Sequence, residues 1–240
     1  MPRTDTGLEP ARIAILPAAV ADGIAAGEVV DRPAAVVKEL VENAIDAGAA
    51  RIHVRVEAAG QGLIEVVDDG QGMEPADLPV AFARHATSKL RSLEDLRTIR
   101  TLGFRGEALA SIAAVAEVEA VTRSRDGGDG FRVRIQASEL LTAEPAGCPV
   151  GTRVSVEQLF FNTPARLKFL KQPATENAVI SRLVGELALG NPTIAFSLDL
   201  DRRRVFETPG PVMCEQHSRR SMTPRTRRRC SPSRSRPCAG

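Results

Sequence analysis

From Pro33 to Ala47 the chain reads PAAVVKELVENAIDA, and Val37, Leu40, Val41, Ala44 and Ile45 fall on one arc at about 100° per residue. That spacing predicts an amphipathic helix, with Pro33 suited to its first turn and Gly48 to its stop. Similar signals predict helices over Glu107–Val115, Pro164–Leu170 and Glu176–Leu189. Strands are predicted at Arg51–Glu57, Leu63–Val67, Glu117–Thr122, Phe131–Gln136, Thr152–Gln158, Thr193–Leu200 and Arg203–Glu207. In the first of these, alternation places Ile52, Val54 and Val56 on one face, and Gly60-Gln61-Gly62 favours a hairpin into the next. Helices combined with a mainly hairpin-connected sheet argue for an α+β sandwich with helices on one face.

With 240 residues and 43% hydrophobic content, the chain can bury one sizeable core. No run approaches the roughly 18 apolar residues that a membrane span requires, and MPRTDTGLEP lacks a secretory core, so a cytoplasmic location is expected. The net charge of +2 averages two unlike pieces. Met1–Met213 holds 24 Lys and Arg against 29 Asp and Glu, while Cys214–Gly240 holds eight Arg against one Glu. The absence of Trp and Tyr leaves little for base stacking, so any DNA contact is expected to be electrostatic, weak and non-specific. Cys148 stands apart from Cys214, Cys230 and Cys238, whose spacing matches neither a zinc site nor a disulfide framework. The stretch over 210–240, dense in Arg, Ser and Pro, is expected to be a disordered basic tail. Its abrupt loss of hydrophobic periodicity favours a frame-shifted or misjoined end over a DNA-binding arm.

Three constellations could carry chemistry. On the first helix, Glu39, Asn43 and Asp46 lie within about 60° of one another, opposite the apolar arc. A solvated helix face explains them equally well. In LIEVVDDGQGM, Leu63–Met73, an apolar strand runs into Asp68-x-Gly70-x-Gly72. A carboxylate there could accept from an exocyclic amine while the glycines let a flat ring approach; a tight turn after a strand has the same composition. RHATSKL, Arg84–Leu90, and TLGFRGEALAS, Thr101–Ser111, place Gly103 and Gly106 just before a predicted helix, where backbone N–H groups could cradle phosphate with Lys89 adding charge. A helix-start loop and a solvated lysine are the plain alternatives. No P-loop, dinucleotide fingerprint or calcium loop is present. His53 and His85 have no partners at metal-ligand spacing and are expected to be incidental.

The order Glu39-x-x-x-Asn43, Asp68-x-Gly70-x-Gly72, the Gly-rich stretch Gly103 to Leu109, and Gly151-Thr152 resembles the four motifs of the GHKL superfamily of ATPases. IAAGEVVDRPAAVVKELVENAIDAGA, RHATSKL, GFRGEALASI and FFNTPARLKFL are similar to the versions in MutL-type DNA mismatch repair proteins. The resemblance covers about Ile13 to Phe206. It implies a Bergerat-type two-layer sandwich of a mixed, mostly antiparallel sheet with helices on one face. Residues 13–209 would form the ATP-binding domain, after a flexible 1–12.

By that resemblance Asn43 would hold Mg²⁺ on ATP and Glu39 would act as general base. Asp68, with Thr152, would hold the adenine amino group, with Asp46, Gly70, Gly72 and Met73 around it. Thr87, Ser88, Lys89, Gly103, Phe104, Arg105, Gly106, Glu107, Ala108 and Leu109 would close as a lid. The Phe160–Pro164 segment has its own local logic: Thr163 can cap and Pro164 can start a short helix, so a plain N-cap motif is the ordinary explanation, and the expectation is that it supports the pocket's rear wall. Closure would drive self-association of two such domains, coupling a mismatch-recognition protein to a downstream nuclease or helicase. The family's second domain supplies a lysine to the γ-phosphate, and the chain stops before it, so Mg-ATP binding is expected to outrun hydrolysis. A binding-only fragment is one alternative. A topoisomerase subunit or kinase is another, disfavoured by the GFRGEAL stretch.

Overall fold

The computed structural model describes residues 23, 26–87 and 106–210. Its centre is one eight-stranded sheet in the order β5-β4-β3-β6-β2-β1-β7-β8. The strands are β1 (Arg51–Glu57), β2 (Leu63–Asp68), β3 (Glu117–Arg123), β4 (Phe131–Gln136), β5 (Glu139–Pro145), β6 (Gly151–Glu157), β7 (Ala195–Leu200) and β8 (Arg203–Glu207). All neighbours run antiparallel except β1 and β7, paired in parallel from Arg51↔Ala195 to Val56↔Leu200. Among the described residues, the helices include α1 (Pro33–Asp46), α2 (Asp77–Val80), α3 (Ala108–Val115), α4 (Pro164–Leu167) and α5 (Pro173–Gly190).

Strand alternation decides which face is covered. Ile52, Val54 and Val56 of β1, Val118 and Ala120 of β3, and Val154 and Val156 of β6 are buried, and they join one core with Val36, Val37, Leu40, Val41 and Ala44 of α1. Ile112 and Val115 of α3 and Ile180 and Val184 of α5 complete it. The intervening strand positions carry charge: Glu119 meets Arg134 at 2.8 Å and Arg153 at 3.1 Å, and Glu65 accepts from Ser155 at 3.1 Å. Helices therefore cover one face and a polar ladder lines the other, as the alternation requires.

α1 is punctuated as its sequence predicts. Pro33 opens it, where a missing N–H costs nothing. Gly48 closes it in the left-handed region, with Gly48 N donating to Ile45 O at 2.9 Å and Ala49 N to Ala44 O at 3.2 Å. These two bonds form a Schellman cap. At its start, Arg32 grips Glu176 of α5 through two bonds of 2.9 and 3.3 Å, and Lys171 N adds a third at 3.1 Å. Burial opposes the charge on Glu176, which is 1% exposed, but Arg32 and the Lys171 N–H hold its carboxyl below the usual range.

Several features differ from the sequence pattern or add to it. β5 and α2 have no counterpart among the predicted elements: every residue of β5 is exposed, so the edge strand shows no alternation, and α2 is a single turn. α4 stops at Leu167 rather than Leu170, and α5 starts at Pro173 rather than Glu176, another proline at a first turn. Thr163 does not cap α4 through its side chain, and its Oγ1 has no hydrogen-bond partner among the described residues. His53 has a structural partner, Ser197 Oγ at 2.7 Å across the β1–β7 pair. The flexible start expected over 1–12 and the tail expected beyond residue 210 lie outside the described residues.

The Arg32–Glu176 pair gives a stability test. Arg32→Met strands a buried carboxylate and is expected to cost about 3–5 kcal/mol in urea unfolding. Adding Glu176→Gln should recover most of that loss. A double variant no more stable than the single one would show that stranded charge is not the cause.

Candidate functional site

Four pieces of chain meet beyond the end of β2. Asp68 is the last residue of that strand and pairs in register with Thr152 at the start of β6. Gly70 N donates to Asp68 Oδ1 at 2.8 Å, closing a tight turn. Burial pushes the Asp68 carboxyl up to about 6, beyond what the Gly70 and Thr152 N–H groups offset, and neighbouring Asp69 pushes the same way. Asp69 itself braces the backbone, its Oδ1 accepting from Ala50 N and Arg51 N, both at 2.7 Å, and so fixes the lead into β1.

The loop after Asp68 is stitched to the end of α1. Gln71 N donates to Ala47 O at 2.9 Å, and Ala47 N donates to Asn43 O at 2.9 Å. A Cβ on Gly70 would lie 2.9 Å from both Ala47 O and Ala47 Cβ. The turn bearing Asp68 and the last turns of α1, with half-buried Asn43 and Asp46, are thereby held together. Glu39, one turn earlier and also half-buried, has Lys38 Nζ at 3.4 Å.

Two glycines make close approaches that no side chain could share. Gly72 has φ +68°, and a Cβ there would sit 1.9 Å from Arg123 O. Gly151 has φ +119°, and its Cβ would sit 2.1 Å from Asp68 O. Both approaches bring β3 and β6 against the turn, and one side chain joins all three. Thr122 Oγ1, fully buried, receives Met73 N at 3.0 Å and lies 2.9 Å from Gly151 O and 3.0 Å from Thr152 Oγ1. Sequence reasoning passes over Thr122, because a threonine in a strand looks ordinary and its partners lie 30 and 49 residues away.

The glycine-rich stretch is described from Gly106 onward. A Cβ on Gly106, at φ +62°, would meet Ala86 O at 2.7 Å, and His85 Nδ1 lies 3.5 Å from Glu107 Oε1. The RHAT and GEAL segments are thus neighbours, with half-buried Thr87 beside the start of α3. Glu107, the residue before α3, does not cap that helix through its own side chain. Behind it, Phe160 N donates to Val115 O at 2.7 Å and Asn162 Nδ2 to Ala114 O at 2.8 Å, which satisfies carbonyls at the end of α3. Ser88, Lys89, Gly103, Phe104 and Arg105 lie outside the described residues.

Among the described residues no group of three His, Cys, Asp or Glu could hold a metal, so a cation here would depend on an amide or carboxylate oxygen plus its own ligand. A recess of about 370 Å³ exists at the other end of α1, beside Arg32 and Glu176, and is lined by none of the residues expected to hold the nucleotide. The candidate site is carried by converging polar groups rather than by that hollow.

Residues 28–141 match the family of histidine kinase-, DNA gyrase B- and HSP90-like ATPases. This is a GHKL-type ATPase fold. The DNA mismatch repair protein MutL of Symbiobacterium thermophilum is 54% identical over 200 residues, 83% of this chain and 32% of that protein. The MutL of Bacteroides fragilis is 51% identical over 197 residues, 82% of this chain and 32% of its own length. Among solved structures, the Aquifex aeolicus MutL ATPase domain complexed with ADP is similar at 33% identity and a TM-score of 0.61, over 75% of this chain and 64% of that one. The N-terminal domain of a DNA repair protein is similar at 26% identity and a TM-score of 0.66, over 79% of this chain and 56% of that one. The chain belongs to the MutL family and carries its ATPase domain. It spans about a third of the length of the curated relatives it matches.

The raised Asp68 carboxyl predicts an exchange of stability for binding. Because its folded-state value lies above its unfolded one, its favourable contribution is present at low pH and lost as pH rises through about 6. Asp68→Asn should therefore stabilise the ligand-free chain at pH 8, by up to about 3 kcal/mol, and not at pH 4. Thermal melts at the two pH values check this, and equal shifts at both would refute it.

Proposed function

We propose that this chain is the ATP-binding switch of a DNA mismatch repair protein. The observation carrying the proposal is the joined pair of polar sites: the acceptor-rich end of β2 with Thr152 and the polar stripe of α1, stitched through Ala47 and Gln71. An acceptor pair recessed between close-packed backbone suits an exocyclic amine on a flat ring. The relatives' name and the ADP complex of one of them support the same nucleotide and the same pathway.

In this reading Asp68 accepts from the adenine amino group, Thr152 assists it, and Gly70, Gly72 and Met73 line the ring. Asn43 offers its side-chain oxygen to a magnesium ion. A single neutral ligand beside phosphate oxygens fits that ion, which keeps most of its shell as water and phosphate. When bound, the ion would neutralise charge on the phosphates. Glu39, one turn before Asn43, takes the proton of an attacking water in this reading, and Asp46 flanks the adenine side.

In the same reading the start of α3, with Gly106, Glu107, Ala108 and Leu109, cradles the phosphates, aided by Thr87 and by the lid residues Ser88, Lys89, Gly103, Phe104 and Arg105. Contacts that exist only when the lid is closed give ATP a preference for that state. Closure then favours self-association of two chains, linking a mismatch-recognition protein to a nuclease or helicase. DNA contact is weak and non-specific. No helix among the described residues is long and apolar enough to cross a membrane, and we place the protein in the cytoplasm.

Isothermal titration with a nonhydrolysable ATP analogue in magnesium tests the site. The chain should bind it; Asp68→Asn should abolish binding, and Asn43→Ala should weaken it at least tenfold while erasing the magnesium dependence. Wild-type affinity should also decline below pH 6 as Asp68 takes up its proton. An affinity indifferent to Asp68→Asn would overturn the proposal. Turnover by this chain should be slow, and vigorous turnover lost in Glu39→Ala would contradict that part.

A further inference from the structure

We infer that Thr122 fixes the hydrogen-bonding polarity of Thr152 and thereby helps the site distinguish an amino-purine from an oxo-purine. This rests on the nucleotide reading above, and concerns a residue that never touches the ligand. Thr122 is a positioning residue.

The protons around one buried oxygen can be counted. Thr122 Oγ1 has one hydrogen to give and two lone pairs to receive. Met73 N, at 3.0 Å, can only donate. Gly151 O, at 2.9 Å, can only accept, so the Thr122 hydrogen is committed there. The remaining contact, 3.0 Å to Thr152 Oγ1, is then a hydrogen bond only if Thr152 is the donor. Thr122 is fully buried, which keeps bulk water from these positions. Thr152, half-buried, thus turns its hydrogen inward and leaves lone pairs for whatever lies outside.

Asp68, paired across the strands with Thr152, is an acceptor when ionised. Both groups on this wall therefore ask for a donor. An exocyclic amine supplies one, directly or through a water. An oxo group at the same place would face acceptors and lose its own hydrogen bond, the kind of mismatch that polar sites reject strongly. If Thr122 lost its hydroxyl, Thr152 would be released to donate outward, and an oxo group would gain a partner.

The test compares Mg-ADP and Mg-IDP, adenine and hypoxanthine diphosphates that differ where the wall is read, by isothermal titration on the full chain at pH 8. Wild type should prefer ADP. In Thr122→Val the Kd ratio of IDP to ADP should fall roughly five- to tenfold, while Thr122→Ser, which keeps the hydroxyl, should hold the wild-type ratio. Equal weakening of both nucleotides in Thr122→Val would reduce Thr122 to a structural role and overturn the inference. Should Thr122→Val not fold, Thr152→Val decides: the inference requires its ratio to fall, and an unchanged ratio overturns it. A wild-type chain that binds neither nucleotide would instead defeat the proposed function itself.

Discussion

The last turns of α1 and the turn after β2 are joined backbone to backbone, Gln71 to Ala47, and nearly everything else in the candidate site takes its position from that seam. It needs a helix that ends on schedule, which the Gly48 cap provides, and a turn with no side chain in the way, which Gly70 provides. Once the seam is formed, a strand built for core packing and a helix built for amphipathic packing deliver their polar ends to one place. The hydrophobic face of α1 is therefore part of the site's construction, because burying Val37, Leu40, Val41 and Ala44 sets the rotation at which Glu39 and Asn43 emerge.

The electrostatics follow from the same placement. Asp68 is held in a setting that opposes its charge, and the backbone donors of Gly70 and Thr152 offset only part of the opposition. The fold keeps a carboxylate there at some expense to its own stability, a pattern expected of groups retained for binding. Glu176 is the contrast within the same chain. It is more deeply buried, but Arg32 and the Lys171 N–H satisfy it, and it serves only to lock α1 against α5.

Much of this could be read from the sequence, for reasons that differ by element. Strands with one buried face announce themselves: Arg51–Glu57 and Phe131–Gln136 have the expected bounds. β5 escapes prediction because an edge strand exposed on both faces has no alternation to read. Glu39, Asn43 and Asp46 can be grouped from helical spacing, and Asp68 from its place at a strand's end. Thr122 cannot be found that way, since its meaning comes from partners brought together by three strands and a turn. Thr163 looks like a cap by residue type, but geometry denies it that bond; residue type constrains what a side chain can do and leaves open which neighbour it meets.

The close approach of Gly106 to Ala86 has a consequence for substitution. A side chain at position 106 would need a left-handed backbone and would run into the Ala86 carbonyl oxygen 2.7 Å away. Backbone alone therefore holds the RHAT stretch against the lead into α3, and any larger residue at that position would wedge the two apart instead of filling a gap.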